Sequence, residues 1–373
     1  MFFNKKLKIR QMKNSERRMK PMVISDQQTY DEIIESMLNN QRKQEFSINI
    51  IEDPHHRKRV MTQHQVNESK KFSQRLLYYK KTGEETIFDG IVDDVLGIVG
   101  GEIATNGFIS GPWIISKNLN INLPEELKEL IGKRIALRLI KLINLYQRHG
   151  FDLKFLGGKL ESMSIIESGV FSLTINSWID KRGLITQNVK PGDLIYGFAS
   201  NGKASWEEEE NSGIMIYDTN IIEQYLDLDK LALSPNRQFA IIIKEIVSIL
   251  KAKKAFFMLH GIVINHKNGC TEIKNISKKN DIMYVKDMPL PPSIFTLIQK
   301  ESQLEWREMY RNFNCGVGLE IVGENNPVFI DALKEVSSKY KIALYRLGHC
   351  LPAKSPTNSN RLIINSHFGT WEM

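Results

Sequence analysis

PPSIFTLIQKESQLEWREMYRNFNCGVGLEIV, residues 291 to 322, decides how the chain is read. Pro291 and Pro292 close a Pro-rich loop that opens at Pro289, and the apolar residues from Ile294 to Ser302 recur at helical spacing. GVGLEIV then reads as a strand, with glycines in FNCGVG that let neighbouring backbone approach more closely than any side chain would allow. Downstream, Pro327 to Tyr340 reads as a helix and IALYRLG (342 to 348) as a strand. Upstream, Ser234-Pro235 leads into a helix from Arg237 to Leu250, followed by the strand-like FFMLHGIVI (256 to 264). Strands and helices in this order predict an α+β fold, with a domain boundary between roughly 225 and 236.

The preceding half carries a Pro-Gly turn running into an apolar strand, VKPGDLIYGFAS (189 to 200), and strands at GVFSLTINSWI and FDLKFLGG. Pro124 to Gln147 is the clearest helix, its two first-turn glutamates suiting the positive end of the helix dipole. Ile87 to Ala104 reads as a helix carrying Asp93 and Asp94, which glycines 97, 100 and 101 weaken or close. DPHHRKRVMTQHQ (53 to 65) reads as a surface loop, its histidines 55, 56 and 64 lacking the i,i+4 spacing of a metal pair. Residues 27 to 44 form a short amphipathic helix on Tyr30, Ile33, Ile34 and Met37, and residues 1 to 26 form a basic, disordered arm. The expected domains are therefore 27–230 and 231–373, behind that arm.

At 373 residues, with 42% hydrophobic and 25% charged, the chain can bury two cores. It has no apolar run of membrane-spanning length and no signal-peptide core, so a soluble cytoplasmic protein is expected. Cys270, Cys315 and Cys350 are too scattered for a zinc site or a disulfide framework. The net charge of +8 permits polyanion binding, but a solvated lysine coat accounts for it more simply, and nucleic acid is not the expected partner. The acidic run Glu207 to Glu210 reads as a solvated loop.

Three segments together resemble the aminoimidazole ribonucleotide (AIR) synthetase family, the phosphoribosylformylglycinamidine cyclo-ligases of purine synthesis. They are VKPGDLIYGFASNGKASWE (189 to 207), LSPNRQFA (233 to 240) with HGIVI, and above all EMY at 308 to 310 followed by FNCGVG. The resemblance is expected to run nearly end to end, and alignment of the first residues with a bacterial branch places the expected start at Met12. It implies an AIR-synthetase-like α+β fold of two domains: an N-terminal β-sheet backed by helices, then an α+β domain. It also implies ATP and magnesium as cofactors, and pairing through the N-terminal sheets as a homodimer, or as a heterodimer with an active synthetase. The implied chemistry is phosphorylation of an amide oxygen, followed by closure of the imidazole ring by an amine.

Most of the family's functional motifs are altered here. The window of its glycine loop, D-G-x-G-T-K, falls on Val66 to Lys71, where only Lys71 matches; valine cannot hold magnesium, and no glycine brings backbone N–H groups to a phosphate. The N-D metal motif falls on Gly101 and Glu102, with Asp94 matching a family aspartate upstream. The G-G-E-T motif becomes Gly157, Gly158, Lys159 and Leu160, with Glu161 able to serve only through a register shift. The family's C-terminal-domain histidine falls on Ile264, with His266 a displaced candidate and His260 a core histidine, and the S-N-G loop is missing from SGIMIYDTNIIEQ (212 to 224). The resemblance thus nominates Lys71 and Glu161 for catalysis, Gly157, Gly158 and Lys71 for nucleotide, and Asp94 and Glu102 for metal. The leading reading is a catalytically impaired pseudoenzyme acting as a binding or assembly subunit, with no cofactor. Its alternatives are a working cyclo-ligase using ATP and magnesium, and a polyanion- or RNA-binding derivative of the fold.

Overall fold

A computed structural model describes residues 48–166, 168–215, 230–277, 281–353 and 360–373. The basic arm, the helix expected at 27 to 44 and most of the segment at the missing S-N-G loop lie outside the described residues.

The first sheet is built from β1 (Ile50–Glu52), β2 (Arg59–Glu68), β3 (Pro112–Ile121), β4 (Asp152–Ser162) and β5 (Gly169–Asp180), in the order β1-β2-β5-β3-β4. Only the β3–β4 pair in it is parallel. Its helices are α1 (Lys70–Thr82), α2 (Asp89–Thr105) and α3 (Glu125–Arg148). The second sheet takes β6 (Leu194–Ala199), β9 (Leu259–Ile264), β10 (Ile282–Asp287), β11 (Val317–Gly323), β12 (Leu344–Pro352), β13 (Arg361–Ser366) and β14 (Gly369–Glu372). Its order is β14-β13-β10-β12-β6-β11-β9, and a small ribbon pairs β7 (Asn201–Gly202) with β8 (Asn211–Ser212). With it go α4 (Phe239–Ala252), α5 (Ser293–Ser302), α6 (Trp306–Asn312) and α7 (Pro327–Tyr340). The change from one sheet to the other falls between Asp180 and Leu194, because β6 joins the C-terminal strands.

Two local readings are corrected. The stretch from Arg59 onward is not a loop but β2, paired residue for residue with β5. Its buried positions, Val60, Thr62, Val66 and Glu68, alternate as a half-buried strand requires, but two of them are polar. And α2 runs through its glycines to Thr105. Ile91, Val92, Val95, Leu96, Val99 and Ile103 on it are fully buried, and about 1.5–3 kcal/mol for each such side chain outweighs roughly 1 kcal/mol per interior glycine. Those glycines permit contact: a Cβ on Gly100 would lie 2.9 Å from the Trp113 ring, and one on Gly101 2.3 Å from Ile264 Cδ1. Two ion pairs one helical turn apart fasten α2 to α3, Asp89 to Arg134 at 2.6 Å and Asp93 to Arg138 at 2.7 Å. α2 thus lies between the first sheet and β9, and it positions both acids discussed next.

Candidate functional site

Where the resemblance would put a phosphate-binding glycine loop, the chain passes from β2 into α1. Glu68 turns its carboxylate onto the start of the helix and accepts the Lys71 N–H at 2.8 Å. Burial and nearby Asp94 push this carboxyl up, against the pull of Lys71 and Arg75. Lys71 itself points inward: its Nζ donates to Asp94 Oδ1 at 3.0 Å and to the Ser234 carbonyl at 3.3 Å, and 1% of the residue is exposed. Arg75 donates to Asp94 Oδ2 at 2.7 Å, and the Asn236 N–H to Oδ1 at 2.8 Å. Both Asp94 oxygens are therefore occupied by protein donors in a site closed to water. Such a centre holds elements together, because a buried charge is tolerated only when paired.

Glu102, farther along α2, meets different company. His64 Nε2 lies 2.6 Å from one of its oxygens, and His266 Nε2 and Lys267 Nζ lie 3.0 and 3.2 Å from the other. Burial alone would push this carboxyl up, but hydrogen bonds and charge from His266 and His64 outweigh it and hold Glu102 well below the usual carboxylate range. Beside it opens a cavity of about 50 Å³ lined by Glu102, Thr105, Gln187, Ile264, His266 and Glu272, among others. That is room for a few waters rather than a nucleotide. Ile264, at the place of the family's histidine, packs against Gly101. His64, taken in the sequence for a surface-loop histidine, is the residue that sequence reasoning missed.

Gly157, Gly158 and Glu161 lie elsewhere, on the edge strand β4. The β3 register slips between Ile115 and Ser116, which face Phe155 and Gly157, so Leu156 is the extra residue of a bulge. Gly158 has φ +146°, and a Cβ there would lie 1.8 Å from the Lys117 carbonyl oxygen. Glu161 pairs with Lys159 at 3.2 Å on an exposed surface. The structure therefore joins Lys71 to Asp94, leaves Glu102 with its histidines, and puts the glycine pair to use in a bulge. Among the described residues, no group of three or more His, Cys, Asp or Glu is placed to hold a metal ion.

The segments that carry the resemblance act as internal fasteners. Arg237 donates to the carbonyls of Ala199, Asn201 and Gly202 at 2.8, 3.1 and 2.7 Å and grips Glu207 with two bonds of 2.8 Å. Glu207 is thus half of a part-buried ion pair, a correction to its reading as solvated. Asn314 donates to Ser200 Oγ at 2.8 Å and accepts the Met215 N–H at 3.1 Å. His260 is a core histidine, its Nδ1 2.8 Å from Asp193 of the Pro-Gly turn.

No family model matches the chain. It is similar to phosphoribosylformylglycinamidine cyclo-ligases: 27% identical over 178 residues to one from Neisseria meningitidis (46% of this chain, 49% of the relative) and 27% over 180 residues to one from Thermoplasma volcanium (46% and 49%). The chain thus spans about half the length of the curated relatives it matches, less than the expected end-to-end likeness. Among solved structures it resembles a chain of the HypE-HypF complex (12% identity, TM-score 0.55, covering 92% of this chain and 97% of that one). Thiamine monophosphate kinase from Aquifex aeolicus (11%, 0.54, 95% and 100%) and T. maritima PurL complexed with ADP (10%, 0.52, 92% and 52%) share the fold too. The resemblance to the AIR synthetase family and the α+β, AIR-synthetase-like fold are borne out.

Proposed function

We propose that this chain is an AIR-synthetase-like protein related to purine biosynthesis that has given up nucleotide chemistry and serves as a cytoplasmic binding or assembly subunit. One observation carries the reading: Lys71 and Asp94, the matches to the family's phosphate and metal residues, form an internal ion pair beneath Ser234 and Asn236. To reach a nucleotide, Lys71 would have to leave a buried carboxylate whose other donors are fixed, and about 3–5 kcal/mol opposes breaking such a pair. The solved relatives include PurL bound to ADP and a ThiL protein bound to AMPPCP; the residues here favour no such complex.

Assembly finds support at β4. This edge strand and the turn after it expose Phe155, Leu156, Leu160 and Ile165, and an apolar strand edge invites a further strand. The partner is a second copy or an intact synthetase. Among the described residues no helix is long and apolar enough to cross a membrane. A second reading, an active cyclo-ligase, rests on Glu102, ionised beside two imidazoles at the mouth of a cavity.

The two readings separate in calorimetric titration of the full chain with magnesium-ATP. The expected result is no heat of binding, with sedimentation showing a dimer. Micromolar binding lost in Glu102→Ala would sink the reading of a chain without nucleotide chemistry and send the second to a ring-closure assay.

A further inference from the structure

The Pro-Gly turn that leads into β6 carries more charge than a turn needs. Asp193 Oδ2 accepts the Lys190 backbone N–H at 2.7 Å and lies 2.8 Å from His260 Nδ1. The two side chains, 5% and 4% exposed, are shut away from water. The other ring nitrogen of His260, Nε2, meets groups at the surface: Lys190 Nζ at 3.3 Å and Glu324 Oε1 at 3.8 Å. Lys190 is itself exposed, and a Cβ on Gly192 in the same turn would meet nothing within 4 Å, so the space over the turn is open. A structural clip accounts for the Asp193–His260 bond, because a buried acid needs a donor; it does not account for the lysine. An amine and an imidazole nitrogen at hydrogen-bond distance share one proton, since an ammonium and an imidazolium both only donate. One member of the pair is therefore a base. Either His260 is neutral beside an ammonium, or Lys190 is a free amine and the ring carries the charge between Asp193 and Glu324.

We infer that Lys190 is an acyl-accepting lysine, activated by His260 and Asp193 toward an activated acyl donor of the acyl phosphate class. The arrangement is that of a nucleophile, a base within hydrogen-bond reach and a buried acid that orients the base and stabilises its charged form. Lys190 Nζ attacks the carbonyl carbon and forms the C–N bond, and the bond from that carbon to the phosphate oxygen breaks. The phosphate leaves with the electron pair, and the amine proton passes through His260 Nε2 to it, leaving an amide on the lysine. Cys350, whose backbone N–H donates to the Asp193 carbonyl, does not compete for the acyl group, because burial and Asp193 push its thiol up and keep it from the thiolate form. The inference rests on neither the Lys71–Asp94 centre nor Glu102.

The test is brief exposure of the full chain to acetyl phosphate at neutral pH, with peptide mass spectrometry following each lysine. Lys154 and Lys334, 65% and 66% exposed, serve as internal references. Lys190 should be acetylated about a hundredfold faster than either, the low end of what a positioned base contributes. His260→Gln should bring it to the rate of the references, which stay unchanged, in a protein that keeps the circular dichroism of the parent. Glu324→Gln, which leaves the core alone, should slow Lys190 selectively by about threefold, as loss of a partly exposed charge partner does. Acetylation of Lys190 at the rate of Lys154 and Lys334 would overturn the inference. So would a preference for Lys190 that persists in folded His260→Gln or, where that variant unfolds, one that Glu324→Gln leaves untouched.

Discussion

α2 carries the fully buried Asp94 and the half-buried Glu102 on either side of its glycine run, and they have come to opposite ends. Asp94 is enclosed by a lysine, an arginine and a backbone N–H from the 234–236 segment, with no face toward solvent. Glu102 is shared by two histidines and a lysine at the mouth of a cavity. The same helix therefore seals one acid of the resemblance into the frame and leaves the other beside a water-sized cavity. If the chain retains chemistry, we propose that it belongs at the second.

The largest way to break this contrast is at Asp94. Asp94→Ala would strip Lys71 and Arg75 of the carboxylate they are hydrogen-bonded to, and about 3–5 kcal/mol of stability should be lost. Urea unfolding followed by circular dichroism reads this directly. A loss under 1 kcal/mol would mean that Lys71 swings out freely, and the closed-centre argument would fall with it.

Glu102→Gln should cost less, about 1.5–3 kcal/mol, because the side chain keeps its shape and loses only charge-assisted hydrogen bonds. Its signature is the dependence on pH. The folded-state value of Glu102 lies below its ordinary 4.5, so the stabilisation is fully present above that ordinary value and disappears as pH falls through the lowered one. The gap between parent and variant should be constant near pH 7 and close on acidification below about 4. A gap that keeps its full size at pH 3 would show that shape rather than charge matters here.

The contrast also shows what the sequence could yield. The fold was legible because its fasteners are local patterns: the turn at PGD, the glycines of FNCGVG, and SPNRQ leading into α4. Lys71 and Asp94 were legible as residues but not as a pair. They lie 23 positions apart and are tied down by Ser234 and Asn236, the latter 142 positions from Asp94, and only the tertiary fold shows that the lysine turns inward. His64 escaped because the buried face of β2 includes Thr62 and Glu68, which blurs the alternation that marks a strand. Gly157-Gly158 was nominated for nucleotide through its match to G-G-E-T, and a bulge asks for backbone without side chains just as a nucleotide cradle does.

That ambiguity gives the next prediction. Gly158→Ala should destabilise by about 1–3 kcal/mol, since both its positive φ and the Lys117 carbonyl exclude a Cβ. An unchanged urea midpoint would show that β4 shifts freely and that the bulge is no constraint.

The smallest effect belongs to Glu161, the remaining nominee for catalysis. It pairs with Lys159 across a surface where the lysine is largely and the glutamate partly in water, and exposed ion pairs contribute about 0–1 kcal/mol. Glu161→Ala should therefore leave the unfolding midpoint nearly unchanged, and any ring-closing activity the protein shows should survive it. A variant that folds normally and loses such activity would place chemistry on the edge strand, and the division of α2 into a sealed acid and an open one would no longer locate the working site.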